Sequence, residues 1–161
     1  MKPAGETFLN PGEVFFGQGH VLVGTLLGSC VAVTLWHRQR HLGGMCHFLL
    51  PQRPHSSWQN PDGRYADEAF ALLDRAIARC GTRTTEYEAK LFGGGNMFPD
   101  HHIATSHDVS ENNIRAARRL LEERCVALKA EHVGGTGHRR LYFDAWTGEV
   151  WLSFHHANKH E

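Results

Sequence analysis

A cysteine, a histidine and a threonine in the first third of the chain are the residues whose types and spacing best suit catalysis. Cys30 follows Gly28 and Ser29 in the stretch TLLGSCVAV, directly before an apolar run. A cysteine nucleophile needs a base within reach and donors for the oxyanion that forms on the attacked carbonyl group. The small residues predict a tight turn at which the Cys30 amide and a neighbouring amide face a cleft. A purely structural cysteine that begins a strand is the alternative.

His47 is the candidate base. The run MCHFLLP (residues 45–51) is predicted to return as a strand beside the one that Cys30 begins, so the two side chains would meet across the pair. Cys46 is the rival nucleophile. Because consecutive strand residues point to opposite faces, Cys46 cannot share a cleft with His47. A histidine without a catalytic role is the alternative, in a chain with 13 histidines.

A third group is expected to fix the tautomer of the imidazole ring. Thr25 lies close to Cys30 in sequence and carries a hydroxyl group. A backbone carbonyl or an aspartate would serve equally well, and a threonine at a strand edge needs no catalytic role. The residues themselves therefore leave the orienting group open.

The stretch FGGGNMF (residues 92–98) is the most glycine-rich part of the chain. It lacks the GxxxxGK[ST] pattern, and no helical pattern begins directly after it, which argues against a nucleotide site. We interpret it as a flexible, partly apolar rim of the cleft, with Asn96 and Met97 touching a bound partner.

Strands outnumber helices in the predicted elements that must position these residues. Helices are predicted over 66–80, ending before Gly81, and over 110–125, with Ser110 as N-cap. Because strand pairs are adjacent in sequence, the pattern favours a mixed α+β domain with helices packed on a sheet. The predicted strands are 30–36, 45–51, the start of 88–98, 126–133, 139–145 and 148–154.

Composition excludes several classes of protein. The chain has 161 residues, 41% hydrophobic and 21% charged, which suits one globular domain. Its formal net charge of zero argues against a general nucleic-acid binder, and no apolar stretch approaches the ~20 residues of a membrane span. No secretory signal is visible at the start. The four cysteines lack zinc-site spacing, and the histidines are scattered, so we expect no metal and no cofactor.

Six motifs, taken together and in order, resemble the chemoreceptor glutamine deamidase (CheD) family. The first motif contains Cys30, and the second contains His47, seventeen residues later. The resemblance covers nearly the whole chain and leaves out the tail HHANKHE. The motifs are TLLGSCVAV, GGMCHFLLP, RYADEA, AKLFGGGNMF, NIRAARRLLEE and AEHVGGTGHRRLYFDAWTGEV.

The resemblance implies a cytoplasmic enzyme that hydrolyses glutamine side chains of bacterial chemoreceptors to glutamate and releases ammonia. It implies a layered α/β sandwich with a mixed β-sheet and flanking helices, similar to deamidating toxins of the cytotoxic necrotizing factor type. The family's catalytic set is a cysteine, a histidine and a threonine just upstream of the cysteine. Cys30 and His47 match the first two, and Thr25 is the nearest hydroxyl for the third.

The resemblance also bears on partners and on the extent of the domain. Chemoreceptors are the expected partners, and some family members bind a phosphatase of the chemotaxis pathway. We expect one deamidase domain over residues 1–161, of which about 155–161 form a polar tail. Two other functions stay open: a thiol hydrolase acting on receptor glutamyl methyl esters, and a non-enzymatic regulator that binds the phosphatase through the same cleft.

Overall fold

The structure, a computed structural model, describes residues 5–97 and 104–156, with the side chains of 104–108 left out. Within those ranges the chain forms nine β-strands, two α-helices and a short 3-10 helix over Thr84–Glu86. The strands are β1 Gly5–Phe8, β2 Val14–Gln18, β3 Val21–Leu27, β4 Val31–His37, β5 Leu42–Phe48, β6 Glu88–Gly93, β7 Ala127–Val133, β8 Gly137–Asp144 and β9 Val150–His156, and the helices are α1 Ala66–Arg79 and α2 Ala104–Glu123.

A five-stranded mixed sheet forms the middle layer, in the order β2-β5-β4-β6-β7. Its centre is the antiparallel hairpin of β4 and β5, as the adjacent apolar runs predict. Every residue of β4 is buried, because one face packs on the helices and the other on a second sheet. The predicted return strand 45–51 differs in its bounds: β5 begins three residues earlier and ends at Phe48.

The second sheet has four strands in the order β1-β3-β8-β9 and is also mixed, since β1 and β3 run parallel. Strands β1, β2 and β3 were not predicted. The apolar pattern of β3 is interrupted by Gly24, and its antiparallel partner β8 lies far along the chain. A sequence signal that depends on neighbouring residues does not reveal such a pairing.

Side-chain alternation divides the buried residues of β4 and β5 between two cores. Between the helices and the five-stranded sheet lie Cys46 and Phe48 of β5. Their neighbours Met45 and His47 point to the opposite face, towards the four-stranded sheet. The molecule is therefore three layers deep: helices, five strands and four strands. The predicted α+β class, with helices packed on a sheet, is confirmed.

Helix α1 ends as the sequence predicts. Gly81 takes a left-handed backbone conformation (φ 70°), and its amide donates to the carbonyl of Ala78 while that of Thr82 donates to Ile77. These two bonds form a Schellman motif, in which glycine is favoured because it has no Cβ.

Helix α2 differs from its prediction. It includes Ala104, so the assignment of Ser110 as N-cap is wrong: Ser110 lies inside the helix, and its hydroxyl donates to the Gly95 carbonyl. The early turns were missed because they lack apolar periodicity. The helix ends at Glu123, before the predicted Cys125, which adopts a positive φ of 54°.

The last strand runs further than predicted. Strand β9 continues to His156, so the predicted polar tail includes two strand residues, and 157–161 lie outside the described residues. The predicted loop 92–98 is described as far as Met97. Neither described helix is both long enough and apolar enough to cross a membrane.

Candidate active site

Cys30 lies at the crossover between the two sheets. Strand β3 of the four-stranded sheet ends at Leu27, and β4 of the five-stranded sheet begins at Val31. The three residues between them make the turn that the small side chains predict. Cys30 is half-buried at the edge of the core that fills the space between the sheets. Its thiol therefore stands at the end of a strand, beside that inner layer.

The glycine-rich loop packs directly against this turn. The amides of Gly94 and Gly95 donate to the carbonyls of Cys30 and Gly28, each at 2.9 Å. Gly93 has a φ of 109°, and a Cβ there would come within 2.3 Å of the Cys30 carbonyl oxygen. Glycine is thus required by close backbone approach. The loop at these three residues is buried and hydrogen-bonded, in contrast to the flexible rim predicted for it.

Asn96 and Met97 continue the loop and are half-buried. The backbone of Asn96 donates to the carbonyl of Gly135, in the loop before β8, and accepts from the amide of Gly137, the first residue of β8. The Met97 side chain lies 3.3 Å from the position that a Cβ on Gly28 would take. Met97 is therefore next to the turn that carries Cys30, and its contact with a bound partner stays a prediction.

The structure brings Thr25 and His47 together across the two sheets. Thr25 Oγ1 and His47 Nδ1 are 2.8 Å apart, and Thr25 Oγ1 donates to the Leu9 carbonyl at 2.7 Å. A carbonyl oxygen only accepts, so the single hydroxyl proton of Thr25 is committed to Leu9. His47 Nδ1 must therefore carry the proton and donate to Thr25. The neutral ring is left with its lone pair on Nε2.

That lone pair is unused. His47 is 1% exposed, and its Nε2 is buried without a hydrogen-bond partner among the described residues, so it makes no bond to Cys30 in this state. Ala32 pairs with His47 in the hairpin register. Cys30, two residues earlier on the same face, is the diagonal neighbour of His47, at the distance where Cα atoms are about 7–8 Å apart. Catalytic hydrogen bonds in unliganded proteins are often long and tighten on binding.

Burial shifts both pKa values towards the neutral forms. Desolvation raises the pKa of the Cys30 thiol, opposed by hydrogen bonds from its own amide and from the Ser29 side chain. Desolvation also lowers the pKa of His47 to about 4, opposed by the Leu9 carbonyl. The resting pair at neutral pH is therefore a thiol and a neutral imidazole. In this state Nε2 can accept a proton, which is what a general base requires.

The other three cysteines lie in different surroundings. Cys46 is fully buried in the core beneath the helices, and burial raises the pKa of its thiol to about 12. It faces away from His47, as strand alternation predicts. Cys80 and Cys125 follow the ends of the two helices, and neither packs against the core between the sheets that Cys30 borders. In the described ranges, histidine, cysteine, aspartate and glutamate nowhere form a group of three that could hold a metal ion.

Sequence reasoning missed two buried polar residues near the turn. Asn113 of α2 donates to the carbonyls of Leu49 and Ser29. It stands four residues before Ala117 on the apolar stripe of the helix, and a polar residue on such a stripe was the available signal. Arg139 of β8 is 1% exposed, and its guanidinium donates to the Gly93 carbonyl at 3.3 Å. No local pattern distinguishes Arg139 from an exposed strand residue.

Comparison with known proteins places the chain among chemotaxis proteins. Residues 49–154 match the family model described as CheD chemotactic sensory transduction. That match covers more than half of the chain and begins two residues after His47.

Individual relatives extend the similarity through the turn. The chain is 48% identical over 149 residues to a probable chemoreceptor glutamine deamidase, CheD 3, of Dechloromonas aromatica, covering 92% of this chain and 87% of the relative. It is 51% identical over 154 residues to the probable chemoreceptor glutamine deamidase CheD of Pseudomonas fluorescens, covering 94% and 86%. A relative in Leptospira interrogans is 34% identical, covering 91% of each chain. The chain therefore belongs to the CheD family.

Proposed function

We propose that this protein hydrolyses glutamine side chains of chemoreceptors to glutamate and ammonia, with Cys30 as nucleophile, His47 as base and Thr25 as the group that orients the imidazole. The observation that carries the proposal is the buried Nε2 of His47, which has no partner while Nδ1 is bound to Thr25. The substrate follows from the relatives, which are named as probable chemoreceptor glutamine deamidases.

The first half of the reaction removes ammonia. Nε2 of His47 takes the proton of the Cys30 thiol as the sulfur attacks the carboxamide carbon, and the C=O bond opens to an oxyanion. The protonated imidazole then gives its proton to the amide nitrogen. The C–N bond breaks, ammonia leaves, and a thioester joins Cys30 to the substrate. Thr25 accepts the Nδ1 hydrogen bond throughout and keeps the ring in one orientation.

The second half restores the enzyme. Neutral His47 takes a proton from water as its oxygen attacks the thioester carbon. The C–S bond breaks, His47 returns the proton to the sulfur of Cys30, and glutamate is released. The sum is one carboxamide and one water converted into one carboxylic acid and one ammonia.

The turn also supports stabilisation of the oxyanion. Gly28, Ser29 and Cys30 lie outside the ladders of the strands, and among the described residues their amides donate to no backbone carbonyl. Amides without a backbone acceptor beside a nucleophile are the donors that an oxyanion hole needs. We assign this role to the amides of Ser29 and Cys30, with Gly28 allowing close approach.

The cellular location, the fold relatives and the partners of the protein also follow from the family resemblance. We propose a cytoplasmic enzyme without a cofactor, in one domain that spans the chain and shares its fold with toxins of the cytotoxic necrotizing factor type. Superposition on the catalytic domain of such a toxin tests the last point. Asn96 and Met97 are proposed to meet the receptor, and binding assays with a chemotaxis phosphatase test for a second partner.

Mass spectrometry of chemoreceptors produced with and without this protein tests the activity. We expect the mass gain of amide-to-acid conversion at glutamines, lost in Cys30→Ala and retained in Cys125→Ala, an exposed cysteine on the same chain. Loss of a methylene from methylated glutamates instead would assign a methyl esterase. Unchanged receptor masses together with phosphatase binding would assign a non-enzymatic regulator.

A further inference from the structure

Asn113 is a fully buried polar residue on helix α2, between helix and turn. Its Nδ2 donates to the Leu49 carbonyl at 2.8 Å and, at a longer 3.4 Å, to the Ser29 carbonyl. Because carbonyl oxygens only accept, the NH2 group must face them, and this fixes the orientation of the side-chain amide. Both of its hydrogens are committed. Asn113 thereby connects the residue before Cys30 to the residue two places after His47.

With the bond from Asn113 to Ser29, all three carbonyl groups of the turn accept a hydrogen bond. The carbonyls of Gly28, Ser29 and Cys30 accept from Gly95, Asn113 and Gly94 in turn. Asn113 is the one side chain in this set, since the other two donors are backbone amides. With all three carbonyls held by the glycine loop and α2, the amides of the turn are left without backbone acceptors among the described residues.

Packing alone does not explain why Asn113 is buried, because an unsatisfied polar atom in the core costs free energy. Its Oδ1 is buried and has no hydrogen-bond partner among the described residues. The buried residues that follow it on α2, Ile114, Ala116 and Ala117, are apolar. An apolar side chain would fill the same space without an unsatisfied oxygen. The side-chain amide is therefore explained by its hydrogen bonds to the two carbonyls, those of Ser29 and Leu49.

We infer that Asn113 is a positioning residue that holds the Ser29 carbonyl on the helix side of the turn, so that the amides beside Cys30 face the substrate. The inference rests on the proposed deamidase function. It predicts that loss of Asn113 affects the chemical step more than substrate binding, because Asn113 holds the turn and is itself buried away from the surface.

Steady-state kinetics of Asn113→Ala on receptor substrate tests the inference, with Asn112→Ala as the matched control. Asn112 is the preceding asparagine on the same helix and is exposed. We expect kcat to fall tenfold to hundredfold in Asn113→Ala with KM within twofold of wild type, since small misplacements of reacting groups have effects of that size. Asn112→Ala should keep both constants. An unchanged kcat in folded Asn113→Ala, or a loss confined to KM, would overturn the inference.

Alkylation of Cys30 by iodoacetamide, followed peptide by peptide across a pH series, needs no receptor and separates this inference from the proposed function. Loss of Asn113 frees Ser29, whose side chain and neighbouring amide favour the thiolate of Cys30. The midpoint of the alkylation profile should move to higher pH in Asn113→Ala and stay in Asn112→Ala. A wild type inactive on receptors would refute only the deamidase, while an unmoved midpoint would refute the positioning role. If Asn113→Ala fails to fold, Asn113→Ser leaves a smaller cavity and the same two readouts apply.

Discussion

At the scale of single residues, the orientation of one imidazole follows from one hydroxyl proton. Thr25 gives that proton to Leu9 and therefore can only accept from His47. The same choice determines which ring nitrogen is free for chemistry. In the proposed mechanism, the Thr25 hydroxyl thus orients the imidazole ring and neither gains nor loses a proton.

We predict that Thr25→Val lowers kcat by tenfold to a thousandfold on receptor substrate, less than the loss of the nucleophile. It should also lower the free energy of unfolding by about 1–3 kcal/mol, since His47 Nδ1 and the Leu9 carbonyl lose their partner. Thr25→Ser keeps the hydroxyl and should retain much of the activity. Thr34→Val is the control, at a second buried threonine of the sandwich. A Thr25→Val enzyme with normal kcat would leave His47 oriented by another group.

At the scale of elements, the glycine loop and the helix ends show where backbone conformation determines the residue type. Gly93 and Gly19 have nearly equal positive φ values, 109° and 104°. A Cβ at Gly93 would meet the Cys30 carbonyl, while a Cβ at Gly19 would meet nothing within 4 Å. A comparison of these two glycines therefore separates the effect of backbone strain from the effect of contact with the turn that carries Cys30.

We therefore predict that Gly93→Ala abolishes most deamidase activity and destabilises the fold more than Gly19→Ala does. Both variants carry the strain of a positive φ, about 1–3 kcal/mol. Only Gly93→Ala also pushes on Cys30. Activity assays and urea unfolding of the two variants measure the difference. Equal activity in both would mean that the turn tolerates displacement.

The two helices end in the same hydrogen-bond pattern, with Gly81 in one and Cys125 in the other. The Cys125 amide donates to Glu122, and the following amide, of Val126, donates to Leu121. Cys125 is exposed and adopts the left-handed conformation that costs a residue with a Cβ roughly 1–2 kcal/mol.

We predict that Cys125→Gly raises the free energy of unfolding by about 1 kcal/mol, and that Gly81→Ala lowers it by a similar amount. Thermal and urea unfolding of both variants provide the measurement. No activity change is expected, because both positions lie at helix ends away from the turn. A destabilised Cys125→Gly would show that its side chain contributes more than its conformation costs.

The sequence predicted these elements unevenly, for physical reasons. The β4–β5 hairpin and the end of α1 follow from local signals, an apolar run on each side of a polar turn and a glycine after the last helical residue. The four-stranded sheet was only partly predicted, since β3 pairs with β8 across most of the chain. Thr25 was therefore a candidate by proximity to Cys30 alone. Its contact with His47 depends on how two sheets pack.

At the scale of the whole molecule, a buried neutral histidine makes folding depend on pH. The folded pKa of His47 is lowered from 6.5 to about 4. Between those values the unfolded chain binds a proton that the folded protein excludes. The free energy of unfolding therefore falls as the pH drops through this window, and the full contribution of neutral His47 is present above it. His132, whose pKa is lowered by desolvation and by Arg139, acts in the same direction.

We predict that wild-type protein loses on the order of 3 kcal/mol of unfolding free energy from His47 between pH 7 and pH 4. Urea unfolding across that range measures it. His47→Gln should flatten the profile, leaving the part due to His132, while His155→Gln, at an exposed position on β9, should not. Identical slopes in wild type and His47→Gln would mean that His47 is protonated in the folded state.

The placement of Thr25 in one sheet and His47 in the other has a consequence for biosynthesis. Strand β3, which carries Thr25, is held between β1 and β8, and β8 is synthesised after both helices and β7. In the proposed mechanism, a nascent chain can therefore display the Cys30 thiol before β8 has been made, but Thr25 is not yet held in place to orient His47. For the proposed reaction, we expect a chain made only as far as β7 to be inactive towards the glutamines of other proteins.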